Sequence, residues 1–128
     1  VSFLVTLKHE GCRIFHAGDF NWWDWDGEDS ETRKLAENAF RKQMKKLQGL
    51  QADVAFFPVD GRLGKQLDKG AREFCAATDI KALVTMHSVG YPAWQPPAGF
   101  FRPGHEVPVW SPREPGEKNV LRAGRLLK

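Results

Sequence analysis

Apolar residues along the chain fall into short blocks with two different periods, and the order of those periods outlines the fold. Ser2–Leu7 (Ser-Phe-Leu-Val-Thr-Leu) is rich in β-branched and aromatic residues and reads as a strand. His9-Glu10-Gly11 offers a glycine for a tight turn, and Cys12–His16 then returns as the antiparallel partner, so the chain opens on a β-hairpin. From Ser30 the period becomes helical. Leu35, Ala36, Ala39, Phe40, Met44 and Leu47 form one apolar stripe, opposite a face of Arg33, Lys34, Arg41, Lys42, Lys45 and Lys46. Ser30 is the expected N-cap, Glu31 suits the first turn, and Gly49 can end the helix in the left-handed conformation.

Asp53–Val59 is almost continuously apolar, as expected of a strand covered on both faces. Asp60-Gly61 turns the chain into a second predicted helix, from about Gly64 to Thr78, with Leu67, Ala71, Phe74 and Cys75 facing inward. Lys81–Met86 is the next buried strand, so Asp53–Met86 reads as a right-handed βαβ unit with parallel strands. Seven prolines between Pro92 and Pro115 then exclude long helices and make 91–128 a Pro/Gly-rich run of loops and edge strand. Val107–Trp110 is the expected edge strand, and Asn119–Lys128 fits a strand or a helix equally.

Composition narrows the class. With 128 residues the chain suits one domain with a modest core. Its net charge of +3 is small and its charges alternate in sign, which argues against a polyanionic partner. The basic helix face contains Glu37 and no interleaved aromatics, so it reads as a solvated surface and nucleic-acid binding is not expected. No apolar run approaches the ~20 residues of a membrane span, and Val1–Leu7 lacks the pattern of a signal peptide. A chain that opens on Val1 within a strand is expected to be processed, trimmed or a fragment. Cys12 and Cys75 have no zinc-ligand spacing and are read as free, buried thiols of a cytoplasmic protein.

The candidate chemistry lies where strands end. Arg13–Asp19 and Ala82–His87 are short apolar runs that each finish on a residue able to bind a metal. In an open sheet, ligands bind beyond the carboxyl ends of the strands, where loops converge. Asp19 and His87 there would supply a carboxylate and an imidazole to Zn²⁺, Mn²⁺ or Fe. The plainer alternative makes Asp19 a turn cap and His87 a hydrogen-bonded strand end. His16 lies three residues before Asp19 and would face the other way unless Ala17-Gly18 turns the chain. His9 and His105 fall in turns and are expected to be exposed. Trp22, Trp23 and Trp25 form either a substrate wall or a packed lid, and Asp24 and Asp26 among them favour a wet rim. No Gly-rich phosphate loop or nucleophile elbow occurs.

Ile14-Phe15-His16-Ala17-Gly18-Asp19, the strand Asp53–Asp60 and the strand ending Met86-His87 together resemble the C-terminal half of a metallo-β-lactamase-fold, metal-dependent hydrolase of the lactonase-like branch. The resemblance covers about Ser2 to Trp110. It implies that Asp19 bridges two metal ions and that His87 binds one of them, with Zn²⁺ (or Mn²⁺) activating water against an ester, lactone or phosphoester of a small-molecule substrate. His16, Trp22, Trp23 and Asp60, by their places beside these strand ends, are candidates to brace the ligands or form the substrate rim. The family's other ligands come from an H-x-H-x-D-H motif and a further His, and this sequence contains no H-x-H.

The expected fold is therefore α/β: half of an αββα sandwich, one mixed sheet with helices on one face. A lone half would leave the inner sheet face in water, so completion by homodimerisation through that face is expected. Two ligands leave an ion mostly hydrated, so weak metal binding and little hydrolysis are expected of this chain. The rival expectation, from a different class, is a non-catalytic dimeric interaction or scaffold module.

Overall fold

A computed structural model describes residues 2–122 and 125–126. It is a mixed α/β structure built on one five-stranded sheet. β1 (Phe3–Leu7) and β2 (Cys12–His16) form the antiparallel hairpin, turning through Gly11 at φ 66°. The helix α1 (Ser30–Leu47) follows, then the short β3 (Gln51–Ala52) and β4 (Val54–Pro58). A 3-10 segment at Gly61–Gln66 leads to α2 (Lys69–Ala77), the short β5 (Asp79–Ile80) and β6 (Leu83–Met86). β7 (Val109–Trp110) is the far edge strand. The strand order is β1-β2-β4-β6-β7, and every pairing after the hairpin is parallel. β3 and β5 form a separate parallel pair.

The βαβ reading holds, with Ala55 opposite Leu83 and Pro58 opposite Met86. The second helix is shorter than its apolar pattern predicts. Gly64 adopts φ 61°, ψ −123°, a conformation open to glycine alone, so the helix cannot pass through it and restarts at Lys69. The first helix starts as expected but is capped differently. Asp29, not Ser30, is the N-cap, and its carboxylate accepts from the Thr32 backbone N–H at 2.7 Å. Gly49 sits at φ 76°, as its position after the helix requires.

Residues paired across the ladders share a face of the sheet, which separates two apolar clusters. On the helix-covered face, Phe15, Ala55, Phe57 and Leu83 pack with Phe40 and Met44 of α1 and Phe74 of α2. Phe74 is fully buried and stacks on Phe57 at 4.6 Å and on Phe15 at 5.3 Å. The α1 stripe is narrower than predicted. Leu35 is 64% exposed and Ala39 is exposed, because the side of α1 turned to the core is the line Phe40, Met44 and Leu47.

The second face carries Val54 and Val84, which are buried with Ala82 beneath Ile14, Phe56, Trp110 and Leu121. This face is thus covered at its centre by the C-terminal part of the chain. It remains open at the hairpin, where Phe3, Val5 and Leu7 are exposed. Part of the tail that fitted strand or helix equally is a two-stranded antiparallel ladder, β8 (Leu121–Arg122) with β9 (Arg125–Leu126). The rest of that segment, and Val1, lie outside the described residues. Cys12 and Cys75 are free and half-buried, where full burial was expected. Burial pushes the Cys75 thiol up to about 12. Among the described residues no helix is long and apolar enough to cross a membrane.

Candidate functional site

β2, β4 and β6 are neighbouring parallel strands, so the segments that leave their carboxyl ends emerge along one edge of the sheet. These segments carry Asp19, Asp60 and His87. Ala17 continues the ladder by donating its N–H to the Phe56 carbonyl, and Gly18 then turns the chain at φ 64°. His16 is exposed at the strand end, stacked on Phe56 at 5.5 Å. Its Nδ1 accepts from the Gly18 N–H at 3.0 Å, so the ring helps to hold the turn that presents Asp19.

His87 follows β6 directly, and its backbone lies at φ 62°. Val89 is at φ 52° and Gly90 at φ 78°, so the chain makes a tightly wound turn just past the strand. A left-handed β-branched residue is strained, and such strain concentrates at functional sites. Trp23 touches both of these segments. Its indole N–H donates to the Asp19 carbonyl at 2.9 Å, and its ring meets the His87 ring edge-on at 6.1 Å.

Asp60 closes β4. Its carboxylate is fully buried, accepts from the Arg62 backbone N–H at 3.0 Å and grips the Arg62 guanidinium at 2.7 Å from Nη2 to Oδ2. The guanidinium hydrogen bond, with help from the nearby His87, holds the Asp60 carboxyl below the usual carboxylate range despite burial. Arg62 in turn lies over the Trp25 ring at 5.7 Å.

The tryptophan loop is neither all wall nor all lid. Trp22, read from sequence as a rim candidate, is a core residue: it is 7% exposed and stacks on Phe40 at 5.5 Å. Lys69 lies over its ring at 4.3 Å and Arg41 at 4.9 Å. Trp23 and Trp25 are half-buried and stack on each other at 6.0 Å. Asp24, expected on a wet rim, is 3% exposed, whereas Asp26 is exposed. Asp24 bridges Arg33 at 2.6 Å and Lys69 at 2.5 Å, and these bonds, that of Arg33 foremost, lower its carboxyl to about 2 against the opposing effect of burial. Gln66 donates to Asp26 and ties the loop to the 3-10 segment.

The sequence reading missed two features. Asn21 is buried, and its Oδ1 accepts from the Trp22 N–H at 2.8 Å where α2 comes closest. The only sequence signal for that approach is Gly70. A Cβ added there would collide with Asn21 Oδ1 and come to 2.9 Å from the Trp22 backbone nitrogen. The second is an apolar cleft of about 550 Å³ beside the site, walled by Phe56, Val84, Met86, Tyr91, Trp94 and Trp110. Thr85 and Ser111 hydrogen-bond to each other at 2.7 Å on its lining. Its walls are separated by up to 56 positions in sequence, Phe56 to Pro112, and only the fold brings them together.

His9 and His105 are exposed on turns and loops. On α1, Glu37 pairs with Lys34 at 3.2 Å and Arg41 at 2.9 Å, so part of the basic face is neutralised internally. Among the described residues, no group of three or more His, Cys, Asp and Glu is arranged to hold a metal ion. A structural or catalytic zinc needs at least three protein ligands. Asp19 and His87 therefore do not make a complete metal centre from this chain's described residues. Compared with family models, curated proteins and solved structures, the chain matches none.

Proposed function

We propose that this chain carries one half of the site of a metallo-β-lactamase-fold, metal-dependent hydrolase, contributing Asp19 and His87 as ligands and lacking the rest. The observation that carries the reading is Trp23, which bonds the Asp19 backbone and abuts the His87 ring, so that both candidates border one side chain at one edge of the sheet. The left-handed backbone of His87 supports it, because a strained turn holds that imidazole just past the strand end. With no H-x-H in the sequence, the other ligands must come from a complementary half or partner. No catalytic step is assigned to the chain alone.

Zinc titration followed by NMR of the histidine rings tests the reading. Weak binding at His87, abolished in His87→Ala and reduced in Asp19→Ala, is the expected result. A His87 ring that does not respond to zinc, or a response unchanged in both variants, would overturn it.

The exposed apolar stripe on the hairpin favours a second reading, a dimeric interaction module. Phe3 is 57% exposed, Val5 48% and Leu7 40%, and their register places them on one face of β1. Three neighbouring apolar side chains in water are an interaction surface or a liability. A second copy of the chain is the partner this reading names.

A further inference from the structure

The residues past the carboxyl ends of the strands form a chain of contacts, and among the described residues one cation in it keeps an edge that makes no hydrogen bond. Asp60 holds Arg62, Arg62 covers Trp25, Trp25 stacks on Trp23, and Trp23 abuts His87. A guanidinium has five N–H donors on a rigid plane. Asp60 takes the Nε–H, at 3.0 Å to Oδ1 and 3.3 Å to Oδ2, and one Nη2–H at 2.7 Å to Oδ2. Five donors less these two leave three, both on Nη1 and the second on Nη2, along the outer edge.

The Arg62 side chain is 47% exposed while its Asp60 partner is fully buried. Two parallel N–H groups on a plane fixed by a carboxylate behind and an indole beside form a fork that matches the two oxygens of a carboxylate or phosphate. Because Asp60 cancels the charge at longer range, recognition here depends on short directional bonds, which favours an oxyanion over a simple halide.

We propose that Arg62 binds an oxyanion, carboxylate or phosphate, borne by the ligand of this site. The inference deepens the hydrolase reading by naming its substrate class as an anionic ester, charged at the end away from Asp19 and His87. It rests on that reading for the reacting centre, while the anion contact itself needs no metal.

The test is titration of the metal-free chain, in a chelator, with inorganic phosphate and with acetate, following the Arg62 Nε–H and Trp25 indole N–H by NMR. Chloride at matched ionic strength is the control. Saturable shifts at both groups with the oxyanions and not with chloride are expected. Arg62→Lys, which keeps a cation beside Asp60, should weaken binding at least about tenfold, the factor carried by one hydrogen bond to a charged group. Lys65→Gln, on the same turn, should leave binding unchanged. Absent or non-saturating shifts, equal shifts with chloride, or an equal loss in Lys65→Gln would each overturn the proposal, and the wild-type titration decides even if Arg62→Lys fails to fold. A zinc titration of a second sample of the chain, free of chelator and phosphate, separates the readings. Lost zinc response with phosphate binding intact removes the metal ligands and keeps the Arg62 site, and the converse removes the Arg62 site alone.

Discussion

Asp24 lies almost out of reach of solvent between Arg33 and Lys69, and it keeps its charge there because both cations bond it directly. Breaking such a buried pair from one side leaves the partners' charges uncompensated. Asp24→Asn should therefore lower the unfolding free energy by about 2 kcal/mol at neutral pH, measured by urea denaturation. The pH dependence has a definite sign. The folded carboxyl titrates at about 2 against an ordinary 3.8, so its contribution is present above pH 3.8 and fades as the pH falls through 2. The variant should lose less stability than wild type between pH 4 and 2. Val89 offers the opposite case, a residue whose backbone opposes stability. Its φ of 52° is costly for a β-branched side chain that is half exposed and so loses little burial. Val89→Gly should raise stability by about 1 kcal/mol in the same assay.

At the scale of elements, local chemistry explains most boundaries and tertiary contact explains the exceptions. Glycine stops α1 at Gly49 and divides the second helical pattern at Gly64, both at positive φ. A helical apolar pattern does not reveal a glycine's φ and ψ, so the break at Gly64 was not legible in the sequence. The Trp loop was misread for a related reason. Three tryptophans and two aspartates within five residues look uniformly amphipathic, yet their roles depend on partners far along the chain. Trp22 is buried against Phe40 and Asp24 against Lys69, 45 residues away. Gly70 is the contact through which α2 and this loop approach. Gly70→Ala, despite its better helix propensity, should destabilise by about 1–3 kcal/mol through overpacking. A thermal melt that shows no loss would mean the Asn21–Trp22 backbone can yield.

For the whole molecule, the decisive asymmetry is between the two faces of the sheet. One is sealed by α1 and α2, while the other is covered only at its centre and is open over the hairpin. If that stripe joins two copies, size-exclusion chromatography with light scattering should give a dimer at micromolar concentration. Val5→Lys should then shift the chain to monomer without loss of helicity, since Val5 is 48% exposed and contributes little to the core. A wild-type monomer would remove the interaction-module reading and leave the ligand assignments standing.

The sequence by itself determined the hairpin, the parallel βαβ unit, the edge strand near Trp110 and the stop of α1 before Gly49, because each rests on a period or a turn residue that acts within a few positions. It also offered Asp19 and His87 as candidates, because residues just past strand ends lie where loops converge. Only the tertiary structure decided that Trp22 and Asp24 are buried, that Arg62 locks onto Asp60 over the Trp25 ring, and that an apolar cleft opens beside His87. These depend on which segments come to lie side by side. Pairing in a parallel sheet joins segments many residues apart, and their chemistry becomes visible only once the strands have met.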